Sequence, residues 1–449
     1  MDTTYRILII IPLLTISLLI RAQEETLTFQ DVDHHSLELY QQGDWKGLIR
    51  YSNQAFSQGI DYYFLRLRTG IAYFETKKYM KAALHLKKAL EFNEGDAVAG
   101  EYLYGCYIEL NKAKEAYEVF EKLPPSVREN LKKSQPDLRF AVLEAGLIEG
   151  NQMERFDTLD LDGEDNIYGE TDITQDGHYF SGGLAWGFRN GYSIYGGYSQ
   201  VSLNKNKIAK IGDTLSLDDQ YPLRQHQIYL NGNIPLGKGY SLLPAFNWVI
   251  DRYKTVMPKL NSDSTAYLFP VEDHNIHSYI GYLSATKDLN ILQVSIFGAI
   301  SNLNQQQQYQ GGFQVMVYPF GNLNLYLSSK LVSHMNDESN HFIFDQLVGF
   351  RLSRNFWAEV NATFGRMQNY YDKNAFVVYN VTDEMKMKGS AKLIYMLYPH
   401  WMITAEYLYL LREGEYFYYS IAEDQQAVPV TVTKDFSNNI VLLGFTWNF

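Results

Sequence analysis

From residue 138 to residue 449 the sequence writes one pattern fourteen times: a run of ten to fourteen residues in which alternate side chains are apolar, closed by a turn signal. The runs cover 138–147, 178–188, 191–203, 223–234, 239–252, 274–285, 290–301, 307–318, 322–334, 341–352, 355–366, 387–398, 400–412 and 437–449. Strands of soluble proteins average about five to six residues, so a run of twelve repeated this often is out of scale for a sandwich. The links between runs alternate as well. Arg189-Asn190, Leu236 to Gly239, Thr286 to Leu289, Phe320 to Asn322, Ser353 to Asn355 and the turn at Pro399 are tight. In between come the long links 148–177, 204–222, 253–273, 367–386 and 413–436.

Short turns on one rim and long loops on the other describe an antiparallel sheet spanning a bilayer, where unpaired backbone groups find no water and the sheet must close. The expected fold is therefore a transmembrane antiparallel β-barrel of about fourteen strands over 138–449. An even count leaves both barrel ends on the short-turn rim. The last run sets Val441, Leu443, Phe445, Trp447 and Phe449 on one face, with Gly444, Thr446 and Asn448 on the other. This end resembles the C-terminal signal read by the bacterial outer-membrane assembly machinery. The resemblance implies outer-membrane lipid and that machinery as partners, and Val441, Leu443, Phe445, Trp447 and Phe449 as assembly-signal residues.

Residues 24–135 have a different period. Sliding the sequence by 34 residues aligns Leu39 with Tyr73 and Tyr107, Leu48 with Ala82 and Ala116, and Ala55 with Ala89 and Leu123. The middle unit resembles a tetratricopeptide repeat, with Gly70, Tyr73, Ala82 and Ala89 at that family's small and aromatic positions; Tyr107 and Ala116 carry the register into the third unit. Ser36 and Tyr104 replace the glycine in the outer units. Short side chains let helices approach closely, and three units are about the fewest that stack stably. Such repeats imply a docking platform for a periplasmic protein partner; the plainer reading is a spacer. Pro124-Pro125 and the KKSQPD stretch up to Asp137 are expected to close the helical part.

Ahead of the repeats, Arg6 and the apolar run 7–20 read as a signal peptide over residues 1–22, cut after Ala22. The 39 basic against 51 acidic residues give a net charge of −12, which argues against a nucleic-acid partner. A single cysteine, Cys106, rules out an internal disulfide framework and reads as a small buried helix residue.

Assigning strand faces by alternation points Asp345, Arg351, Glu359, Lys388, Lys392 and Glu406 inward, on consecutive strands. Acidic and basic rows facing each other could select a passing solute or form a salt-bridged filling of a narrow lumen. The loop residues Asp160, Asp162, Asp165 and Asp172 depart from a calcium-loop pattern, and Tyr416 to Tyr419 suit sugar stacking or loop packing. The scattered histidines form no metal pair, and neither a metal nor a cofactor is expected. His178 beside Ser181 is the one arrangement that suggests lipid hydrolysis; with no third group to join it, no catalytic residue is assigned and a non-enzyme is expected.

The full layout of export signal, helical repeats and C-terminal barrel resembles outer-membrane proteins that release exopolysaccharide, and also the compact YaiO-type barrels. It implies an outer-membrane conduit for a glycan or other polar solute, with the repeats in the periplasm and the long loops outside. A non-conducting scaffold is the alternative.

Overall fold

The computed structural model describes residues 27–110, 112–132, 138–151, 166–188, 191–211, 215–256, 259–260, 267–268, 270–289, 291–336, 339–380, 383–397, 400–421 and 427–449. The expected signal peptide lies outside them. Among the described residues, seven helices precede a closed fourteen-stranded antiparallel barrel. The chain divides into two compact units, one ending at Cys106 and the other beginning at Tyr107.

The helices are α1 (Phe29–Gln42), α2 (Trp45–Ser57), α3 (Tyr63–Glu75), α4 (Tyr79–Phe92), α5 (Ala97–Glu109), α6 (Ala113–Lys122) and α7 (Pro125–Lys132). Thr28 and Asp31 cap α1 reciprocally, and Gly43 ends it in the left-handed region at φ 70°. Asp44 then accepts the Gly47 N–H at 3.0 Å to start α2. Gly70 has a steric reason: a Cβ there would lie 2.7 Å from Leu86 Cγ, so α3 and α4 could not close on each other. Ser36, which takes the glycine's place in the first unit, is fully buried and accepts a hydrogen bond from Arg68 at 2.8 Å. Arg68 also reaches the Asp33 carboxylate at 2.8 Å, tying α1 to α3. Tyr73, Ala82, Ala89, Tyr107 and Ala116 are all buried, as is Cys106. Within the stretch expected to close the helical part, one more short helix forms. Pro125 opens α7, where its fixed φ and missing N–H suit a first helical position.

The barrel strands are β1 (Leu138–Asn151), β2 (Asn166–Gly187), β3 (Ser193–Ile211), β4 (Leu215–Gly237), β5 (Tyr240–Val256), β8 (Val271–Asp288), β9 (Leu292–Ser301), β10 (Gln308–Val317), β11 (Leu325–Asn336), β12 (Asn340–Ser353), β13 (Phe356–Met367), β16 (Glu384–Leu397), β17 (Trp401–Ile421) and β18 (Ala427–Asn448). Two small hairpins, β6–β7 (Lys259–Leu260 with Tyr267–Leu268) and β14–β15 (Tyr370–Asp372 with Val377–Tyr379), lie in long links. Each barrel strand pairs with its neighbours in sequence, and β1 pairs with β18 from Phe140↔Asn448 to Asn151↔Ser437 without a register shift. Closure leaves the barrel no edge strand, although some strands outrun their neighbours.

Alternation then sorts the side chains. Leu143, Leu184, Phe246, Ile296, Phe344 and Val360 point outward and are exposed, an apolar belt no aqueous domain would display. Val441, Leu443, Phe445, Trp447 and Phe449 share that outer face with Trp401, whose ring stacks on Trp447 at 5.4 Å. Phe449 N–H donates to Arg139 O at 3.1 Å, so the seam runs to its last residue.

In the second unit α6 is fixed to the short-turn rim. Glu115 Oε1 accepts the Gly239 N–H at 3.0 Å, and Lys112 Nζ meets Asp288 Oδ2 at 3.0 Å. The β4–β5 turn is tight because Gly237, Lys238 and Gly239 all have positive φ. A Cβ on Gly239 would meet Asp288 O at 2.6 Å. On the opposite rim β16 stops beside Glu413, and β2 takes the freed edge of β17 at Phe417↔Glu170 and Tyr418↔Gly169. The β17–β18 hairpin therefore leans across the mouth.

Candidate functional site: a lumen closed by one loop

The link between β13 and β16 does not project from the barrel as a long outer loop is expected to; it folds into the lumen. Its sequence explains why. From Tyr370 to Tyr379 it reads YYDKNAFVVY, apolar except for Asp372, Lys373 and Asn374, and such a segment lowers its free energy by leaving water. Lys373, Asn374 and Ala375 turn it with three consecutive left-handed residues at φ 49°, 58° and 67°. Left-handed backbone costs a non-glycine residue about 1–2 kcal/mol, so the surroundings must hold this turn.

The wall holds it. Tyr229 donates to Asn374 O at 3.0 Å, Asn247 to Ala375 O at 2.8 Å and Tyr282 to Asn374 Oδ1 at 2.9 Å. Tyr371, Ala375 and Val378 pack with the wall residues Val249 and Ile280 and with Leu303, which lies in a single turn of 3-10 helix at 303–305. Met367 and Tyr370 pack with Val332, Ile343, Met385 and Leu410. Phe376 lies against the rings of Tyr229 and Tyr195, at 5.1 and 6.1 Å.

Charge completes the seat. Asp372 accepts from Lys330 Nζ at 2.6 Å and from Lys388 Nζ at 2.5 Å, all three side chains being nearly enclosed. The lumen residues expected from the sequence divide around this centre. Lys388 does face the lumen, but its counter-ion comes from the loop rather than from a facing strand. Lys392 and the loop's Lys373 both approach Glu406, at 3.5 and 3.9 Å. Asp345 accepts from Thr363 at 2.6 Å and Asn361 at 2.9 Å, while Glu359 accepts from Tyr326. Arg351 stands apart at the β12–β13 turn, donating to Ser353 O and Arg354 O and covering the Trp357 ring. Its alternation was inward, yet at the rim the turn carbonyls are its nearest acceptors.

Beyond the loop a cavity of about 540 Å³ remains, extending toward the long-link rim. Two of its walls differ. On β17 and β18 it meets Leu408, Leu410, Ile440 and Leu442, an apolar stripe on a face expected to be polar. On β3 to β8 it meets Lys207, Gln225, Asp251, Tyr253, Thr255 and His274. Asp172, a loop acid by sequence, sits here on β2, accepting from Tyr221 at 2.8 Å. Where the stripe meets the polar groups stand Arg412 and Asn438, 8% and 2% exposed. Arg412 Nε and both amide atoms of Asn438 have no hydrogen-bond partner among the described residues.

Ser181 is buried on the inner face, and His178 is exposed on the outer one, as three residues of strand spacing require. The two cannot share a proton. Asp160, Asp162 and Asp165 lie outside the described residues, as do the side chains of Tyr416 to Tyr419.

No protein-family model and no curated protein matches the chain. Among solved structures it is similar to a Pseudomonas aeruginosa FadL homologue, at 8% identity over 70% of this chain and 91% of that one, with a TM-score of 0.44. It is also similar to the P. putida toluene transporter TodX, at 7% identity over the same shares, with a TM-score of 0.46. The first TPR of Spaghetti (RPAP3), bound to an HSP90 peptide, is 18% identical over 23% of this chain and 88% of its own, with a TM-score of 0.22. At such distance what those proteins carry does not transfer to this chain.

Proposed function

We propose that this chain is an outer-membrane channel whose lumen is held shut by the loop between β13 and β16 and opens when that loop shifts. The observation that carries the reading is the loop itself: a strained left-handed turn, anchored inside the cylinder by hydrogen bonds and one carboxylate rather than by continuous sheet. Strain retained in a seat of this kind is characteristic of switching elements. The apolar belt supports a membrane location, and α6 on the short-turn rim supports a periplasmic place for that end, with the long links outside.

The solute favoured by the geometry is amphipathic rather than a plain glycan. A sugar polymer uses hydroxyl-matching walls, whereas Leu408, Leu410, Ile440 and Leu442 offer it nothing. The helical repeats remain the natural docking surface for a periplasmic protein partner. Flux of an amphipathic solute into proteoliposomes carrying the full chain tests the reading; protein-free rates would overturn it. A non-conducting scaffold is the second reading, favoured by the two apolar clusters that fill the lumen. It expects wild-type vesicles to stay tight while the chain still recovers a periplasmic protein through its repeats.

A further inference from the structure

Arg412 presents a problem that the fold does not solve. A guanidinium stays charged at any pH a protein survives, and one withdrawn from water at heavy desolvation cost is normally held by a carboxylate. Lys330 and Lys388 have Asp372 for that purpose. Arg412 has Asp383 as the acid whose charge reaches it and the Tyr379 ring nearby, but forms no ion pair among the described residues. Asn438, one strand away, is more deeply buried and leaves both a donor and an acceptor unused. The register makes them diagonal neighbours: Leu410 pairs with Asn438 and Arg412 with Phe436, so both groups face the lumen from adjacent strands, two residues apart along the sheet. Directly toward the short-turn rim from them run Leu408, Ile440 and Leu442.

We infer that this corner of the cavity binds an amphipathic carboxylate, its head on Arg412 and Asn438 and its apolar body along the β17–β18 stripe. A carboxylate supplies two acceptor oxygens, enough for the Arg412 fork and the Asn438 amide N–H together. A cavity of about 540 Å³ accommodates a chain of around ten carbons with its head group. The inference deepens the amphipathic-solute reading and rests on the barrel as described, but does not need the barrel to conduct.

The test uses the full chain in nanodiscs of zwitterionic phosphatidylcholine, with empty nanodiscs as background, and equilibrium dialysis of radiolabelled decanoate, decanol and decyltrimethylammonium. The wild type is expected to bind decanoate saturably, decanol at least about tenfold more weakly, and the cation not at all. Arg412→Gln lowers decanoate affinity about tenfold or more while leaving decanol unchanged, and Asn438→Leu causes a smaller loss. Folding of each variant is read from its heat-modifiable gel mobility, and the head-group comparison on wild type needs no variant. Equal binding of decanoate and decanol, or unaltered decanoate binding by a folded Arg412→Gln protein, overturns the inference. Carboxylate-selective binding without flux would sink the channel and leave this site standing; flux without such binding would do the reverse.

Discussion

Two sides of one lumen treat buried cations in opposite ways. On the side spanned by β11 to β16 the loop enters, and Lys330 and Lys388 share the carboxylate it brings. On the side of β17 and β18 the loop brings Lys373 toward Glu406 and Tyr370 onto Leu410 but no carboxylate into an ion pair with Arg412, whose Nε has no partner among the described residues. The difference teaches where each counter-charge is stored. One cation pair is satisfied by a segment of the chain and so reports on the loop's position. The other is satisfied from outside and so reports on what has entered.

Removing the stored carboxylate breaks the contrast most severely. Asp372→Ala leaves two buried ammonium groups without a partner, a loss of about 3–5 kcal/mol in seating the loop, and is expected to raise single-channel conductance in planar bilayers. Adding Lys330→Met and Lys388→Met should return the channel to quiet, because removing all members of a buried charge cluster costs far less than removing one. A triple variant as leaky as Asp372→Ala would show that charge does not hold the loop.

The helical unit adds a third way of handling a buried base: giving up the proton. His85 stacks between Phe56 and Tyr73, at 5.3 and 5.2 Å, with Arg66 Nη1 3.1 Å from its Nδ1. Burial, reinforced by the Arg66 charge, pushes its pKa down from 6.5 to about 4. Below 6.5 the unfolded chain takes a proton that the folded unit refuses. Helix stability is therefore expected to fall as pH drops from 6.5 toward 4, by up to about 3 kcal/mol, and to be independent of this group above that window. Chemical denaturation of the full chain followed by its helical circular dichroism checks this, and His85→Gln should flatten the slope.

Relieving the left-handed turn sharpens the contrast from the other direction. Ala375→Gly at φ 67° and 1% exposure should steady the closed loop by about 1 kcal/mol and lengthen closed dwell times. Lys112→Ala, which removes the half-screened ion pair to Asp288 on the rim, should lower thermal stability by no more than about 1 kcal/mol and leave conductance alone. A change in conductance there would tie α6 to gating.

The cylinder was legible because hydrocarbon outside it forces an apolar side chain at every second position, as in Phe342, Phe344 and Val360. Each strand declares itself without reference to its partners. The repeat register was legible for a similar local reason, since Gly70 and Ala82 mark close helix approach. The closing loop was hidden by its length. The link 367–386 counted as loop, although YYDKNAFVVY is too apolar for water and could have raised the question. The stripe was hidden because Leu408, Leu410, Ile440 and Leu442 alternate with Tyr407, Tyr409, Val441 and Leu443, so both faces are apolar and period-two reading has no contrast to work with. The partners of Lys388 and Arg412 depend on which segments meet after closure, and spacing along a strand does not contain that.

The seam carries a consequence for manufacture. Phe140 meets Asn448 across it, so the first and last strands find each other after everything between them has been laid down. A loop already seated at that moment is walled in from the side; one still outside has to enter through a mouth over which the β17–β18 hairpin leans. The order of those two events decides whether a newly made barrel starts life sealed or leaking, and whatever holds the unfinished sheet open also holds that choice.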